Sequence, residues 1–202
     1  VTTKTFNTDY AYGDTISSTY PLSSSIHREY YAEGTTRYRL ESIKTALQSY
    51  SPLSSHYTAS NAERNLDTGS LNFISIPSIF YGSTIKRGSL DLKFYVSGNL
   101  VGRARDINYN GELVQTEPVG SPQSGSTVGI ALYNEGVLLL TASTDLSSGK
   151  ALEQYIYGSN VKPSWLHFAS LGFPTDRVTG SLFDLSFQGK ALTPVITMFA
   201  RA

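Results

Sequence analysis

The chain of 202 residues contains no cysteine and only one methionine and one tryptophan. The lack of cysteine excludes disulfides, thiolate metal sites and cysteine nucleophiles. Neither sign of charge is in excess, because 16 basic residues balance 16 acidic residues. Since nucleic-acid binding depends on neutralising phosphates, we expect no DNA or RNA partner. The chain also lacks an apolar run of about 18 residues, so we expect no membrane partner.

Tyrosine and phenylalanine are abundant, with 14 and 9 copies. Tyrosine joins a large apolar ring to one hydroxyl, which suits half-wet surfaces such as sheet faces and subunit contacts. A net charge of zero gives separate copies of the chain little electrostatic repulsion. The composition therefore favours a folded subunit that packs against copies of itself and other proteins.

The N-terminal segment, residues 1 to about 35, is rich in Ser, Thr and Tyr and shows no clear period. Pro21 and the serines that follow it predict an extended arm rather than part of a core. Several aromatic rings lie in this arm, so we expect it to dock on a neighbouring chain. The alternative is that it folds back over its own domain.

One α-helix follows the arm. Leu40, Ile43 and Leu47 recur at three- and four-residue steps, which places them on one helical face. The pattern predicts a helix at about 37–49, ended by Pro52. We therefore assign residues 1–66 to the arm and this helix.

From Leu71 onward the hydrophobic period changes to two. In the stretch 90–96, apolar residues alternate with Asp91, Lys93 and Tyr95, as in a strand with one buried side. Turn signals punctuate the predicted strands, and they occur at 98–99, 110–111, 134–136 and 189–190. The sequence predicts a mainly β protein in which residues 67–202 form an antiparallel β-sandwich resembling a jelly roll.

The short motifs of common enzymes are absent. A serine nucleophile in a strained elbow needs Gly-x-Ser-x-Gly, and the nearest stretch, 125–129, has Thr127 at the central position. His27, His56 and His167 lie in three unrelated contexts and form no zinc-binding pair. The sequence therefore predicts that the chain is not an enzyme.

An alternative function is carbohydrate binding or depolymerisation. Tyrosine-rich surfaces stack on sugar rings, and paired carboxylates that hydrolyse a glycoside need not be neighbours in sequence. The carboxylates of the β region are Asp91, Glu112, Glu135, Asp145, Glu153, Asp176 and Asp184.

One metal-binding pattern is complete. Asp106, Asn108, Asn110 and Gly111, followed after five residues by Glu117, match the calcium loop D-x-[DN]-x-[DN]-G-x5-E. Alternate side-chain oxygens can point inward, glycine permits the sharp turn, and the last glutamate can bind through both oxygens. Asp106, Asn108, Asn110 and Glu117 are therefore candidate calcium ligands.

The flanks of this pattern also fit a simpler interpretation. The stretches 103–105 and 113–115 read as strands, and Pro118 forbids a helix immediately after the loop. A polar hairpin turn at Asn110 and Gly111 explains the same residues without a metal. Apart from possible calcium in this loop, we expect no cofactor.

Several segments between residue 71 and the C-terminus carry a resemblance to known sequences. They are 76–90 (IPSIFYGSTIKRGSL), 92–98 (LKFYVSG), 110–113 (NGEL), 128–136 (VGIALYNEG), 187–190 (FQGK) and 193–200 (TPVITMFA). On these segments the chain resembles virion structural proteins of tailed bacteriophages, particularly those of marine and cyanophage-like type.

The resemblance implies a place in the virion and no defined chemistry. It leaves open whether that place is in the tail, the baseplate, the neck or the capsid. Composition and resemblance together predict a structural subunit that contacts other virion proteins and copies of itself, forming a homo-oligomer within the assembly.

Overall fold

The computed structural model of the chain describes residues 17–18, 25–34, 38–60, 65–96, 98–121, 123–146, 163–169 and 181–192. These residues form ten β-strands and one α-helix. In chain order they are β1 (Ser17–Ser18), β2 (His27–Tyr31), α1 (Tyr38–Tyr50), β3 (Leu71–Ser75), β4 (Thr84–Ile85), β5 (Asp91–Val96), β6 (Asn99–Arg105), β7 (Glu112–Glu117), β8 (Thr127–Leu132), β9 (Val137–Leu140) and β10 (Ser181–Lys190).

The described strands form a single antiparallel sheet that curls into a half-barrel. Nine strands follow one path in the order β1-β10-β5-β6-β7-β8-β9-β3-β2, and β4 pairs with β10 beside that path. Five of the junctions join strands that are consecutive in the chain: the four from β5 through β9, and that of β2 with β3. The mainly β prediction is therefore confirmed.

The helix α1 covers the outer face of the strands β3, β8 and β9. Leu40 and Leu47 are fully buried there in a cluster with Phe73, Ile130 and Leu139. The predicted helix is confirmed within one residue at each end. Among the described residues no helix is long and apolar enough to cross a lipid bilayer.

A second and larger core fills the inner face of the sheet. The fully buried side chains of Leu92, Phe94 and Leu140 belong to it, together with Trp165 and Phe168. The last two come from the segment 163–169, which we call the plug because it packs into the curl of the sheet. Since α1 covers the opposite face of β3, β8 and β9, these strands are buried on both faces.

Trp165 anchors the plug. Its indole N–H donates a hydrogen bond of 2.7 Å to the side-chain oxygen of the buried Gln115 in β7. Its ring lies so close to β6 that a Cβ added to Gly102 would come within 2.9 Å of it. A large ring with a satisfied polar atom thus fills the curl without leaving a buried donor unpaired.

The plug also connects strands from opposite halves of the path. Asn72 of β3 donates to the carbonyl of Phe168, and Arg28 of β2 donates to the carbonyl of Ala169. From the other direction, the ring of Phe183 in β10 lies 5.5 Å from that of Phe168 and 5.4 Å from the Arg28 guanidinium carbon. The two ends of the curled sheet therefore meet across the plug.

Two features of the predicted architecture are not confirmed. The described strands form one continuous curled sheet, whereas the sequence predicted a jelly-roll sandwich of two sheets. The described parts of the expected N-terminal arm are strands of this same sheet, because β1 pairs with β10 and β2 pairs with β3. Residues 1–16 and 19–24 of that arm lie outside the described residues.

The C-terminal hairpin prediction needs a correction. Gly189 and Lys190 were expected to form a turn, but β10 continues through both and pairs there with β4. Gly189 lies against the backbone of Tyr81, so an added Cβ would come within 2.6 Å of it. The glycine therefore serves close packing of two backbones rather than a turn. Residues 193–202, which follow this strand, lie outside the described residues.

Replacing the anchor of the plug should weaken the fold. We expect Trp165→Ala to lower the free energy of unfolding by about 3–5 kcal/mol, because it leaves a cavity against Gly102 and Phe94. Leu182→Ala is the matched control at an exposed position of β10, with an expected change below about 0.5 kcal/mol. Urea unfolding followed by circular dichroism measures both, and equal losses would contradict the role of the plug.

Candidate functional site

Four connecting segments meet at one end of the sheet, and we call this region the loop end. They are the segments 51–57, 76–90, 106–111 and 133–136. Hydrogen bonds join them in two pairs, 76–90 with 133–136 and 51–57 with 106–111. The backbone N–H of Ile76 donates to Gly136, Tyr81 donates to Asn134, and the hydroxyl of Tyr57 donates to Asn110.

Asp106 is the buried centre of the loop end, with only 1% of its surface exposed. One carboxylate oxygen accepts hydrogen bonds from the N–H of Gly88 at 2.6 Å and the hydroxyl of Tyr133 at 2.9 Å. The other accepts from the N–H of Leu90 at 3.0 Å. Burial raises the pKa of the Asp106 carboxyl, while the Tyr133 hydroxyl and the backbone donors oppose that rise.

Tyr133 complements this acceptor. Burial raises the pKa of its phenol, and the charge of the neighbouring Asp106 raises it further. The phenol therefore stays protonated and donates. On its other side, the Arg87 guanidinium carbon lies 5.5 Å from the centre of the Tyr133 ring, a cation–π contact.

The turn between β6 and β7 rests on Gly88. Gly88 has a φ of +78°, and a Cβ there would overlap the ring of Tyr109, so only glycine fits. Tyr109 itself has a φ of +57°, which is uncommon for a residue with a side chain. The contact between the two residues fixes the direction in which this turn projects.

A second contact holds the same turn from the side of α1. The carbonyl of Asn110 lies 2.6 Å from the Tyr57 hydroxyl and 2.9 Å from Nε2 of His56. Since a carbonyl only accepts, Nε2 carries the proton, and Nδ1 accepts from the Ser54 hydroxyl at 2.6 Å. The His56 ring, 4.1 Å from that of Tyr57, is thereby locked in orientation.

Charged side chains surround these rings. The hydroxyl of Tyr50 donates to the carboxylate of Glu135 at 3.0 Å. Burial raises the pKa of Tyr57, Glu112 and Glu135 add to this effect, and Arg87 opposes it. Two carboxylates and a guanidinium are thus close enough to influence one phenol at the loop end.

The four candidate calcium ligands do not point to a common centre. Asp106 directs both oxygens at the donors described above. Glu117 lies at the far end of β7, where it accepts a 2.7 Å hydrogen bond from Arg103. The side chains of Asn108 and Asn110 donate instead to Glu112, a residue outside the predicted set.

The turn therefore has the hydrogen bonding of a closed hairpin. Within the part of the chain that the structure describes, no group of three His, Asp or Glu side chains is placed to hold a metal ion. Calcium binding by this loop stays a prediction.

The carboxylates considered for a glycosidase site are separated into different environments. Asp91 and Asp184 lie on the outer face of the sheet, paired with Arg103 and Lys93. Glu112 and Glu135 lie at the loop end. Glu153 and Asp176 lie outside the described residues.

Large apolar side chains are exposed at the loop end, although its segments are held by many hydrogen bonds. Leu53 is 78% exposed, Ile107 is 46% exposed and Tyr109 is 61% exposed. Leu53 precedes the serine that bonds to His56, and His56 in turn bonds to the carbonyl of Asn110, so the segments that carry these side chains touch. The sequence did not predict this surface, because its members are brought together by contacts between residues more than 50 positions apart.

Comparison of the chain with protein-family models, with curated proteins and with solved structures found no match. The functional argument therefore rests on the residues and on their geometry.

The three histidines, as the sequence predicted, do not form a common site. His27 lies on the exposed edge of β2, within 3.3 Å of Glu29, and His56 belongs to the loop end. His167 is buried in the plug beside the Ser164 hydroxyl, and burial lowers its pKa to about 4. Its protonation must therefore oppose folding.

Replacing Asp106 tests both its role in the fold and the binding of calcium. We expect Asp106→Asn to destabilise the fold by about 2–3 kcal/mol, because an amide NH₂ would face donors that require an acceptor. Asp184→Asn is the matched control, since it removes only a half-exposed ion pair worth at most about 1 kcal/mol. We also expect calcium and a chelator to give the wild type equal melting temperatures. A calcium-dependent rise that the variant abolishes would instead establish the metal site.

The burial of His167 should make the stability of the fold depend on pH. Its folded pKa of about 4 lies below the ordinary value of 6.5, so the unfolded chain binds more protons between these values. Stability should be fully present above about pH 6.5 and should fall as the pH drops towards about 4, by about 3 kcal/mol from this residue. Denaturant unfolding across that range should show that the free energy of unfolding depends less steeply on pH in His167→Gln than in the wild type. The same pH dependence in both proteins would contradict the role of His167.

Proposed function

We propose that the chain is a structural subunit of a tailed-phage virion and acts through contacts with other chains, including copies of itself. Two independent observations support the proposal. The first is the sequence resemblance carried by the segments from residue 76 to residue 200. The second is the surface at the loop end.

The exposed apolar side chains of the loop end are the observation that carries the proposed contact role, while the virion assignment is supported by the sequence resemblance. Leu53, Ile107 and Tyr109 project from turns that are held by buried hydrogen bonds and by the contact of Tyr109 with Gly88. Rigid apolar groups lose little conformational freedom when they dock, so more of their burial appears as affinity. Aromatic and aliphatic anchors of this kind dominate the energy of protein interfaces.

The charge distribution is compatible with close packing of copies. On the outer face of the sheet, Arg103 lies between Asp91 and Glu117, and Lys93 pairs with Asp184. These pairs compensate one another locally, and the whole chain carries no net charge. Approaching copies therefore meet little electrostatic repulsion.

The proposed contact surface differs from the one that the sequence suggested. The N-terminal segment was expected to reach a neighbour, but β1 and β2 pair within the chain's own sheet. We therefore assign the contact role to the loop end. The proposal includes no catalysed reaction and no nucleic-acid or membrane partner.

Self-association tests the contact role. We expect the molar mass of the wild type, measured by light scattering after gel filtration, to rise with concentration. The double variant Ile107→Ser/Tyr109→Asn should weaken association at least about tenfold, since it removes two anchors from the surface. Asparagine is chosen at 109 because it tolerates the positive φ.

Val119→Ser is the matched control. Val119 is 87% exposed and lies between β7 and β8, at the opposite end of the sheet from the loop end. Its replacement should leave association unchanged. Association that survives the double variant, or that the control abolishes equally, would contradict the assigned surface. Mass spectrometry of purified phage particles tests the virion assignment itself, which absence of the chain would overturn.

A further inference from the structure

A cleft of about 380 Å³ opens at the end of the sheet opposite to the loop end. It lies between the β7–β8 connection, the start of β8 and the segment that follows β9. Its polar lining consists of Gln123, Ser126, Thr127, Thr141, Ser143 and Thr144. Gly129 and Ala142 are the other two described lining residues, so the described part of the lining holds no charged and no aromatic side chain.

Among the described residues, the side chains of these six polar residues find no hydrogen-bond partner, in contrast to many other hydroxyls. Ser121, close by, accepts from the Gln115 amide, Ser89 donates to a backbone carbonyl, and Ser83 accepts from a backbone N–H. Six hydrogen-bonding groups that share one concavity and have no partner in the described part of the chain form a surface suited to a polar ligand.

The chemistry of the lining selects the class of ligand. Each hydroxyl is a donor and an acceptor and rotates to suit its partner, and the Gln123 amide offers both roles. Such a lining complements a molecule whose own groups are hydroxyls. The described residues of the wall carry no charge, so they give an ion no specific advantage.

A peptide is a poorer match. Peptides commonly add to a free strand edge or insert side chains into apolar pockets. Here β8 is paired with β7 on one side and β9 on the other, and the N–H of Thr141 donates to the carbonyl of Val128. These described strands therefore offer no free edge to the cleft, and Ala142 is the only apolar side chain among the described lining residues.

We propose that this cleft binds a neutral saccharide. The inference goes beyond the proposed structural role and does not depend on it, because the cleft and the loop end lie at opposite ends of the sheet. The described lining residues offer no aromatic ring on which a sugar can stack, so we expect their affinity for a sugar to come from hydrogen bonds. For a ligand of this size we expect dissociation constants on the order of 1 mM.

Titration of the ¹⁵N-labelled protein with glucose, galactose, mannose, maltose and lactose tests the proposal by NMR. With at least one of these sugars, the amide signals that shift should belong to the cleft, around residues 123–129 and 141–144. Thr127→Val and Thr141→Val keep the β-branched shape but remove one hydroxyl each. Each should weaken binding of that sugar about threefold to tenfold.

Thr45→Val is the matched control. It makes the same chemical change on α1, where the hydroxyl bonds to the carbonyl of Glu41. Binding should be unchanged in this variant, and the spectra of all variants report whether the fold is intact. The proposal is overturned if no sugar shifts these signals at up to about 100 mM, well above the expected constant. Shifts confined to another surface, or wild-type affinity in both cleft variants, would overturn it too.

Discussion

Filling the inner face of the curled sheet is the constraint on which the rest of the structure depends. A curled sheet cannot close its own interior when its two ends do not pair, so another part of the chain must supply apolar volume. The plug does this with Trp165 and Phe168, and the hydrogen bond from the indole to Gln115 satisfies the only polar atom of the tryptophan side chain. Contacts of the plug with Arg28 and Phe183 then hold both ends of the sheet together.

The fold leaves two surfaces of opposite character at the two ends of the strands. At the loop end, a buried carboxylate and several aromatic rings fix four segments, so the apolar side chains on them are presented rigidly. At the other end, uncharged polar side chains line an open cleft and have no hydrogen-bond partner among the described residues. The first surface suits burial against protein, because removing its apolar side chains from water is favourable in free energy. The second suits a ligand that replaces water with matched hydrogen bonds.

Much of the secondary structure could be predicted, because it depends on local periodicity. The helix followed from Leu40, Ile43 and Leu47, and β5 followed from strict alternation with one wet face. Prediction was weaker where both faces are covered: β9 reads as an unbroken apolar run, which says nothing about what covers each side. The pairing of β2 with β3 was missed because its residues show no clean alternation.

The calcium-like pattern shows which features of the turn follow from local sequence and which depend on distant residues. Spacing alone established that the segment after β6 is a tight polar turn with a glycine near its end, and this is how the chain folds there. The pattern could not establish where Asp106 points, since its partners are Gly88, Leu90 and Tyr133, up to 27 positions away. The orientation of a buried carboxylate depends on the hydrogen-bond donors that the folded chain places around it. Only the packing of distant segments makes that choice, just as it gathers the apolar loop end and the hydroxyl-lined cleft.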